Sequence, residues 1–267
     1  MKKVLFGLLA VLMLAGCTPE PQELPTEPEA PTTKTVYVHS SITRTQGEST
    51  SRTEYVYDDQ SCLTDVVIYD GENQPLQQYL VTCDETGNPI RWHSESVGSA
   101  VTYAYDAKGH TLGTYTYTGE TLMSSTEYTW SGDLRLSLTV KTPAQEQRTE
   151  YTYDDNGTMT RQDVYMDGQL TGYGLFTCGE DGKPVLCESF DPEGNVISTV
   201  EYQYEGTQET RVTKAEGLVT QTQIMSYDAH GNLLSNRLLD ANGSQIFSET
   251  HVWQAIEVPL EAPRASV

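Results

Sequence analysis

The chain has 267 residues, 37% of them hydrophobic and 20% charged, and carries 16 Lys+Arg against 38 Asp+Glu for a net charge of −22. So acidic a chain repels phosphate backbones and anionic headgroups, which excludes nucleic acid as a partner and docking on an anionic membrane surface. The apolar fraction is low for a thick-cored domain, and Tyr (17) far outnumbers Phe (4), which favours a thin sheet faced with Tyr, Thr and Val.

The N-terminus reads first. Lys2 and Lys3 precede an almost wholly apolar run from Val4 to Ala15, followed by Gly16-Cys17. A run of roughly a dozen apolar residues is too short for a spanning helix, which needs about 20. A basic start, a short apolar stretch and small residues at its end describe a secretory signal. Leu14-Ala15-Gly16-Cys17 resembles the bacterial lipobox, in which the Cys thiol is acylated and the chain is cut just before it. Residues 1–16 are therefore expected to be a lipoprotein signal peptide. Cys17 is expected to bear lipid, palmitate included, and to hold an extracytoplasmic protein on the cell membrane or outer membrane. An ordinary signal peptide with an incidental Cys is the alternative. Without Lys2 and Lys3 the mature chain carries 14 basic against 38 acidic residues, or −24.

Residues 17–35 read as a tether. Pro19, Pro21, Pro25, Pro28 and Pro31 are interleaved with Glu20, Glu23, Glu27 and Glu29. Proline at this density favours extended polyproline II, and the glutamates repel one another.

The body, 36–258, repeats. Tyr55-Val56-Tyr57-Asp58, Tyr103-Ala104-Tyr105-Asp106 and Tyr151-Thr152-Tyr153-Asp154 share Y-x-Y-D, and Tyr202 to Glu205 and Met225 to Asp228 vary it. Val81 to Asp84, Tyr128 to Ser131 and Phe176 to Gly179 fall between them. The third residues stand at 57, 83, 105, 130, 153, 178, 204 and 227, with steps of 26, 22, 25, 23, 25, 26 and 23. A fixed period of this kind sets the architecture before any single residue does. Leu80 to Pro89 matches Leu175 to Pro184 at an offset of 95, so about eight units form two blocks of four.

Each unit reads as two strands and two turns. In Tyr151-Thr152-Tyr153 the rings alternate with a small polar residue and share one face of a strand. Asp154-Asp155-Asn156-Gly157 follows, where Asp caps the turn and Gly supplies the left-handed conformation that closes it. Gly87, Gly109, Gly194, Gly231 and Gly243 recur in the same role. The expected fold is all-β: tandem hairpins forming an extended, curved antiparallel sheet or shell, with 259–267 a short tail.

The pattern Y-x-Y-D-x-x-G, clearest at Tyr103 to Gly109, Tyr151 to Met159 and Tyr227 to Leu233, resembles the YD (Rhs-type) repeat. The resemblance covers roughly Thr53 to Trp253 and implies a β-strand shell of the kind found in large secreted toxins and cell-surface proteins. This chain is far shorter, several units lack the Tyr or the Asp, and no toxin-like segment follows the array. The family's toxin activity is therefore not carried over.

Beyond Cys17 the cysteines are Cys62, Cys83, Cys178 and Cys187, with no C-x-x-C spacing for zinc. The hairpin reading sets Cys62 diagonal to Cys83 and Cys178 diagonal to Cys187. Those are the preferred disulfides, with buried thiols the alternative. His39, His93, His110, His230 and His251 are dispersed, and no nucleophile–base pair or phosphate loop occurs. No cofactor, metal or catalytic residue is expected. The function expected is a lipid-anchored, non-catalytic binding or scaffolding surface whose partner is an envelope protein or glycan. A glycan- or wall-binding module using exposed Tyr and Trp is the alternative, and an unrecognised hydrolase a further one.

Overall fold

The computed structural model describes residues 33–260. The signal peptide, Cys17, most of the tether and the tail beyond Leu260 lie outside the described residues. Eighteen strands follow in order: β1 (Thr33–Gln46), β2 (Ser49–Tyr57), β3 (Leu63–Asp70), β4 (Pro75–Cys83), β5 (Pro89–Ser94), β6 (Ser99–Tyr105), β7 (Thr111–Thr118), β8 (Thr121–Ser131) and β9 (Leu134–Lys141). Then come β10 (Glu146–Tyr153), β11 (Met159–Met166), β12 (Gln169–Cys178), β13 (Pro184–Phe190), β14 (Val196–Glu205), β15 (Gln208–Ala215), β16 (Leu218–Tyr227), β17 (Leu233–Asp240) and β18 (Gln245–Pro259). No helix occurs among the described residues. Strand β1 opens at Thr33, inside the segment read as tether.

Each strand pairs antiparallel with the next, and β18 returns to β1 from Thr33↔Pro259 to Gln46↔Phe247. The sheet is therefore a closed 18-stranded barrel: of the curved sheet or shell expected from the sequence, the all-β class stands and the open sheet does not. Identical hairpins add the same twist and coil at every step, so a long enough array brings its two edges together. Closure satisfies the backbone donors and acceptors that β1 and β18 would otherwise expose. The two longest strands make this seam. Strand β18 supplies a ninth copy of the repeat, with Trp253 in the third position, 26 residues after Tyr227.

The turns after even-numbered strands ring one mouth of the barrel. At Asp106 the carboxylate Oδ1 accepts from the backbone N–H of Lys108 (2.8 Å) and of His110 (2.9 Å), while Gly109 N–H donates to the Asp106 carbonyl. The same geometry recurs at Asp84 and Asp228. At Asp154 it is completed by Gly157, at φ +80°, a conformation that side-chain-bearing residues rarely adopt. A β-bulge precedes each of these turns, as between Ala104 and Tyr105 and between Thr152 and Tyr153. Bulges at a rim sharpen the local twist and help the sheet curl.

From Thr33 to His39, β1 pairs only with β18, and this two-stranded ribbon crosses the same mouth. Tyr37 on β1 stacks on His230 in the β16–β17 turn at 4.4 Å between ring centroids, and its hydroxyl lies 3.0 Å from His230 Nε2. On the other strand, the Glu257 carbonyl accepts from the Ser61 hydroxyl of the β2–β3 turn. Val258, wholly buried, is carried in by that crossing. Fully buried apolar side chains are otherwise few: Ile42, Leu63, Val66, Ala100, Cys187 and Met225.

Candidate functional site: an aromatic lumen inside a charged wall

Directly paired residues share a sheet face and neighbours in a strand alternate, so the ladder fixes which side chains point inward. Tyr55 pairs with Val66, Val66 with Tyr79, Val81 with Trp92, and Tyr103 with Thr114. Tyr128 pairs with Leu138, Tyr151 with Gln162, and Tyr202 with Arg211. Tyr55 of β2, Tyr103 of β6 and Tyr128 of β8 line one cavity, which strands so far apart can do only across the concave side. These rings therefore face the lumen.

The opposite face is charged. Glu54, Glu127, Glu150 and Glu201 each precede an inward Tyr in sequence and so point outward. Outside they meet cations: Glu54 with Arg52, Glu127 with Lys141 (3.2 Å), Glu150 with Arg148 (3.0 Å) and Glu201 with Lys214 (2.6 Å). Arg161 binds Asp163 in a forked pair and lies over the Tyr173 ring at 4.2 Å.

Inside, the cavity bounded by Tyr55, Trp92, Tyr103, Tyr105, Thr114 and Tyr128 has a volume of about 250 Å³. Trp92 stands 5.8 Å from Tyr103 between centroids, and Tyr103 lies parallel to Tyr105 at 6.4 Å. Burial pushes the Tyr103 hydroxyl up to about 12, with the neighbouring phenols Tyr55, Tyr79 and Tyr128 adding to it. The indole N–H of Trp92 is buried and meets no acceptor among the described residues.

The seam holds a second polar cluster. His39 Nε2 lies 3.1 Å from His251 Nδ1, and the His39 ring rests on Trp253 at 3.8 Å. His251 Nε2 is 3.7 Å from Glu249, which is ion-paired to Arg44 across the β1–β18 ladder. Burial lowers the His251 pKa, outweighing the pull of Glu249. A further cavity, about 520 Å³, lies at the rim among Asp154, Asn156, Glu180 and Asp181. Among the described residues no group of three or more His, Cys, Asp or Glu is arranged to hold a metal ion.

Cys62, Cys178 and Cys187 carry thiols in this structure. Cys187 opposes Phe176 on the ladder, and Cys178 sits past the bulge opposite Pro184. Cys83 Sγ donates to the Leu63 carbonyl at 3.4 Å, and Cys178 Sγ points at the Met159 carbonyl at 4.0 Å. The turn glycines Gly87, Gly109, Gly194, Gly231 and Gly243 have φ of +84°, +88°, +91°, +84° and +82°. They shape the rims and stand outside the cavity. Sequence reasoning passed over Trp92 and the His39–His251 pair. Trp92 falls outside the Y-x-Y positions and His251 takes the place of the first Tyr in the ninth copy, and only closure gathers them.

The model for the prokaryotic membrane lipoprotein lipid attachment site matches residues 1–18. No YD-repeat family model matches the chain, and no curated protein matches it. Among solved structures, TcdB2-TccC3 is 12% identical, with a TM-score of 0.37 over 73% of this chain and 14% of that one. The chain thus spans about one-seventh of that protein's length. A porin-like protein from Bacteroides vulgatus is 11% identical, with a TM-score of 0.38 over 82% of this chain and 99% of that one. A porin-like protein from Bacteroides uniformis is 10% identical, with a TM-score of 0.30 over 81% and 96%. The attachment site spans Cys17 and gives the protein a lipid-anchored location at the membrane.

Proposed function

We propose that the protein is a non-catalytic binding protein of the cell envelope: a barrel held near the membrane by lipid and standing in water. The observation that carries this reading is the outward row of Glu54, Glu127, Glu150 and Glu201 with their Arg and Lys partners. A barrel that spans a bilayer shows lipid an apolar band about 25 Å tall, where a charge costs several kcal/mol. Charges at mid-strand on β2, β8, β10 and β14 suit water instead. The aromatic face, which the sequence reading offered, as an alternative, to a glycan or the cell wall, is turned inward. Macromolecular contacts then fall to the charged wall and the rims, and small ligands to the lumen. The Y-x-Y-D-x-x-G unit is in this reading a YD-type hairpin put to a short, self-closing use.

The test is release. A site for a sequence-specific protease inserted between Pro31 and Thr32 of the full-length protein allows the tether to be cut on intact membranes. The barrel should then leave the membrane fraction without detergent. A cut barrel that stays with the bilayer would mean that it spans or inserts. Turnover of any member of a glycan or peptide panel by the released protein would move support to a hydrolase.

A further inference from the structure

We infer that the lumenal cavity beside Trp92 is a binding site for one neutral pyranose ring. The inference rests on the non-catalytic reading above and names the ligand class.

Four features point to this class. The cavity, at about 250 Å³, holds a single six-membered ring with its substituents and no more. None of the residues lining it is charged, so an anionic or cationic ligand would enter without a counter-charge. Its walls are aromatic faces, those of Trp92, Tyr103, Tyr105 and Tyr128, which suit the apolar C–H face of a sugar. Its polar groups are hydroxyls and one indole N–H, which suit the sugar's rim of hydroxyls.

The Trp92 indole N–H decides between a sugar and a purely aromatic guest. Its nitrogen is buried and has no acceptor among the described residues. A buried donor left unmet costs about 1–3 kcal/mol, and a ligand oxygen that the indole turns to meet removes that cost. The other two indoles are already occupied: Trp130 donates to the Thr111 carbonyl at 2.9 Å and Trp253 to the Leu233 carbonyl at 2.7 Å. A hydrocarbon ring would fill the volume and leave the Trp92 donor unmet. Burial keeps the Tyr103 phenol protonated as a donor into alkaline pH, its pKa pushed up to about 12. The site lies just inside the rim, since Tyr105 closes β6 and Thr111 opens β7.

The full-length protein in lipid nanodiscs should be titrated with glucose, galactose, N-acetylglucosamine and their β-linked disaccharides. Indole fluorescence and ligand-observed NMR give the readout. At least one of these sugars should bind saturably, with Kd on the order of millimolar. Trp92→Phe keeps a ring and deletes the donor, and should weaken that sugar about tenfold. Tyr103→Leu should abolish binding, and Glu127→Gln on the outer wall should leave it unchanged. Near-UV circular dichroism establishes that each variant is folded. No saturable binding of any sugar would overturn the inference. So would binding indifferent to both Trp92→Phe and Tyr103→Leu in folded protein, or binding of phenol with none of the sugars. Release of reducing ends from the disaccharides would instead defeat the non-catalytic reading, while leaving the cavity's preference for sugar in place.

Discussion

The Tyr105 hydroxyl donates to the backbone carbonyl of Pro89 at 2.8 Å, tying the last residue of β6 to the first of β5. Tyr153 does the same to Arg135 (2.7 Å), and Tyr204 to Pro184 (3.0 Å). Trp130 and Trp253 make the bond with an indole N–H, and Cys83 makes it weakly with a thiol. Each acceptor lies 16 to 20 residues back, at or next to the opening of the preceding strand. The ladder is broken there by a bulge, so that carbonyl is in need of a donor. At Cys83, Tyr105, Trp130, Tyr153, Tyr204 and Trp253 the third position is therefore a latch between hairpins at the rim, whereas Tyr227 donates to the Glu209 carboxylate at 3.4 Å.

Tyr105→Phe tests the latch. It removes one hydroxyl and leaves the Pro89 carbonyl short of a partner. It should cost about 1 kcal/mol, more if water cannot reach the carbonyl. Tyr117→Phe, which has no such bond among those described, should cost less. Chemical denaturation of the two variants compares them, and equal losses would show that the latch adds nothing.

The same rings predict alkaline behaviour. Burial raises the Tyr103 pKa to about 12, and burial also raises that of Tyr204 to about 12. The unfolded chain loses those protons near pH 10. Between pH 10 and 12 the unfolded state therefore binds fewer protons than the folded one, and stability falls as pH rises through that window. Below pH 10 this contribution is fully present. Thermal melts should be flat up to about pH 10 from this source and decline above it, in step with the phenolate absorbance band. Tyr103→Phe should make the decline shallower.

The period, the turns and the all-β class could be read from the sequence because each is local: a Tyr alternation, an Asp cap, a Gly. The latch could not, although its signature was present. The third positions are Tyr57, Cys83, Tyr105, Trp130, Tyr153, Cys178, Tyr204 and Tyr227, and every one ends in a donor hydrogen. Read as aromatic, the series has two exceptions; read as donors, it has none. Closure was hidden because it depends on curvature summed over eighteen strands, to which no single unit commits. The inward placement of the Tyr face follows from closure, so the candidate site was hidden with it. Trp92, between units, carries no periodic mark.

Gly157→Val probes a rim turn. At φ +80° a β-branched side chain is strained whatever the space around it, and here Leu134 is also close, at 3.7 Å from an added Cβ. The loss should be about 1–3 kcal/mol. Asn156→Ala, in the same turn, should cost less, since only its backbone N–H bonds to Asp154. The contrast is measured by denaturant midpoint, and comparable small losses would mean that the turn adapts without left-handed backbone.

The thiols give a covalent test of the register. With Cys187 opposite Phe176 and Cys178 beyond the bulge, alkylation under denaturing conditions without reduction should label Cys62, Cys178 and Cys187 alike. Peptide mass mapping reads each site. A Cys178–Cys187 or Cys62–Cys83 bridge recovered from protein purified under air would show that the envelope draws the strands together differently.

The seam should make the barrel sensitive to mild acid. His251 lies between β1 and β18, 9% exposed, with Glu249, Arg44, His39 and Trp253 around it. Burial lowers its pKa below the ordinary 6.5, and the Arg44 charge lowers it further, while Glu249 pulls it upward without prevailing. A histidine that resists protonation when folded binds fewer protons than its unfolded counterpart. Its contribution is therefore fully present above the unfolded pKa and is lost as pH falls through the range below about 6.5. Protonation would also set a cation beside Arg44 in the strand pair that closes the sheet. His251→Gln keeps hydrogen-bonding groups and removes the titration. The wild-type melting temperature should fall between about pH 6.5 and pH 5, and the variant's should be level across that interval. Amide hydrogen exchange should locate the wild-type loss to β1 and β18 first. A wild-type profile as level as the variant's, or acid-induced exchange that begins in β9 and β10, would show that the closing histidines do not set the barrel's weak point.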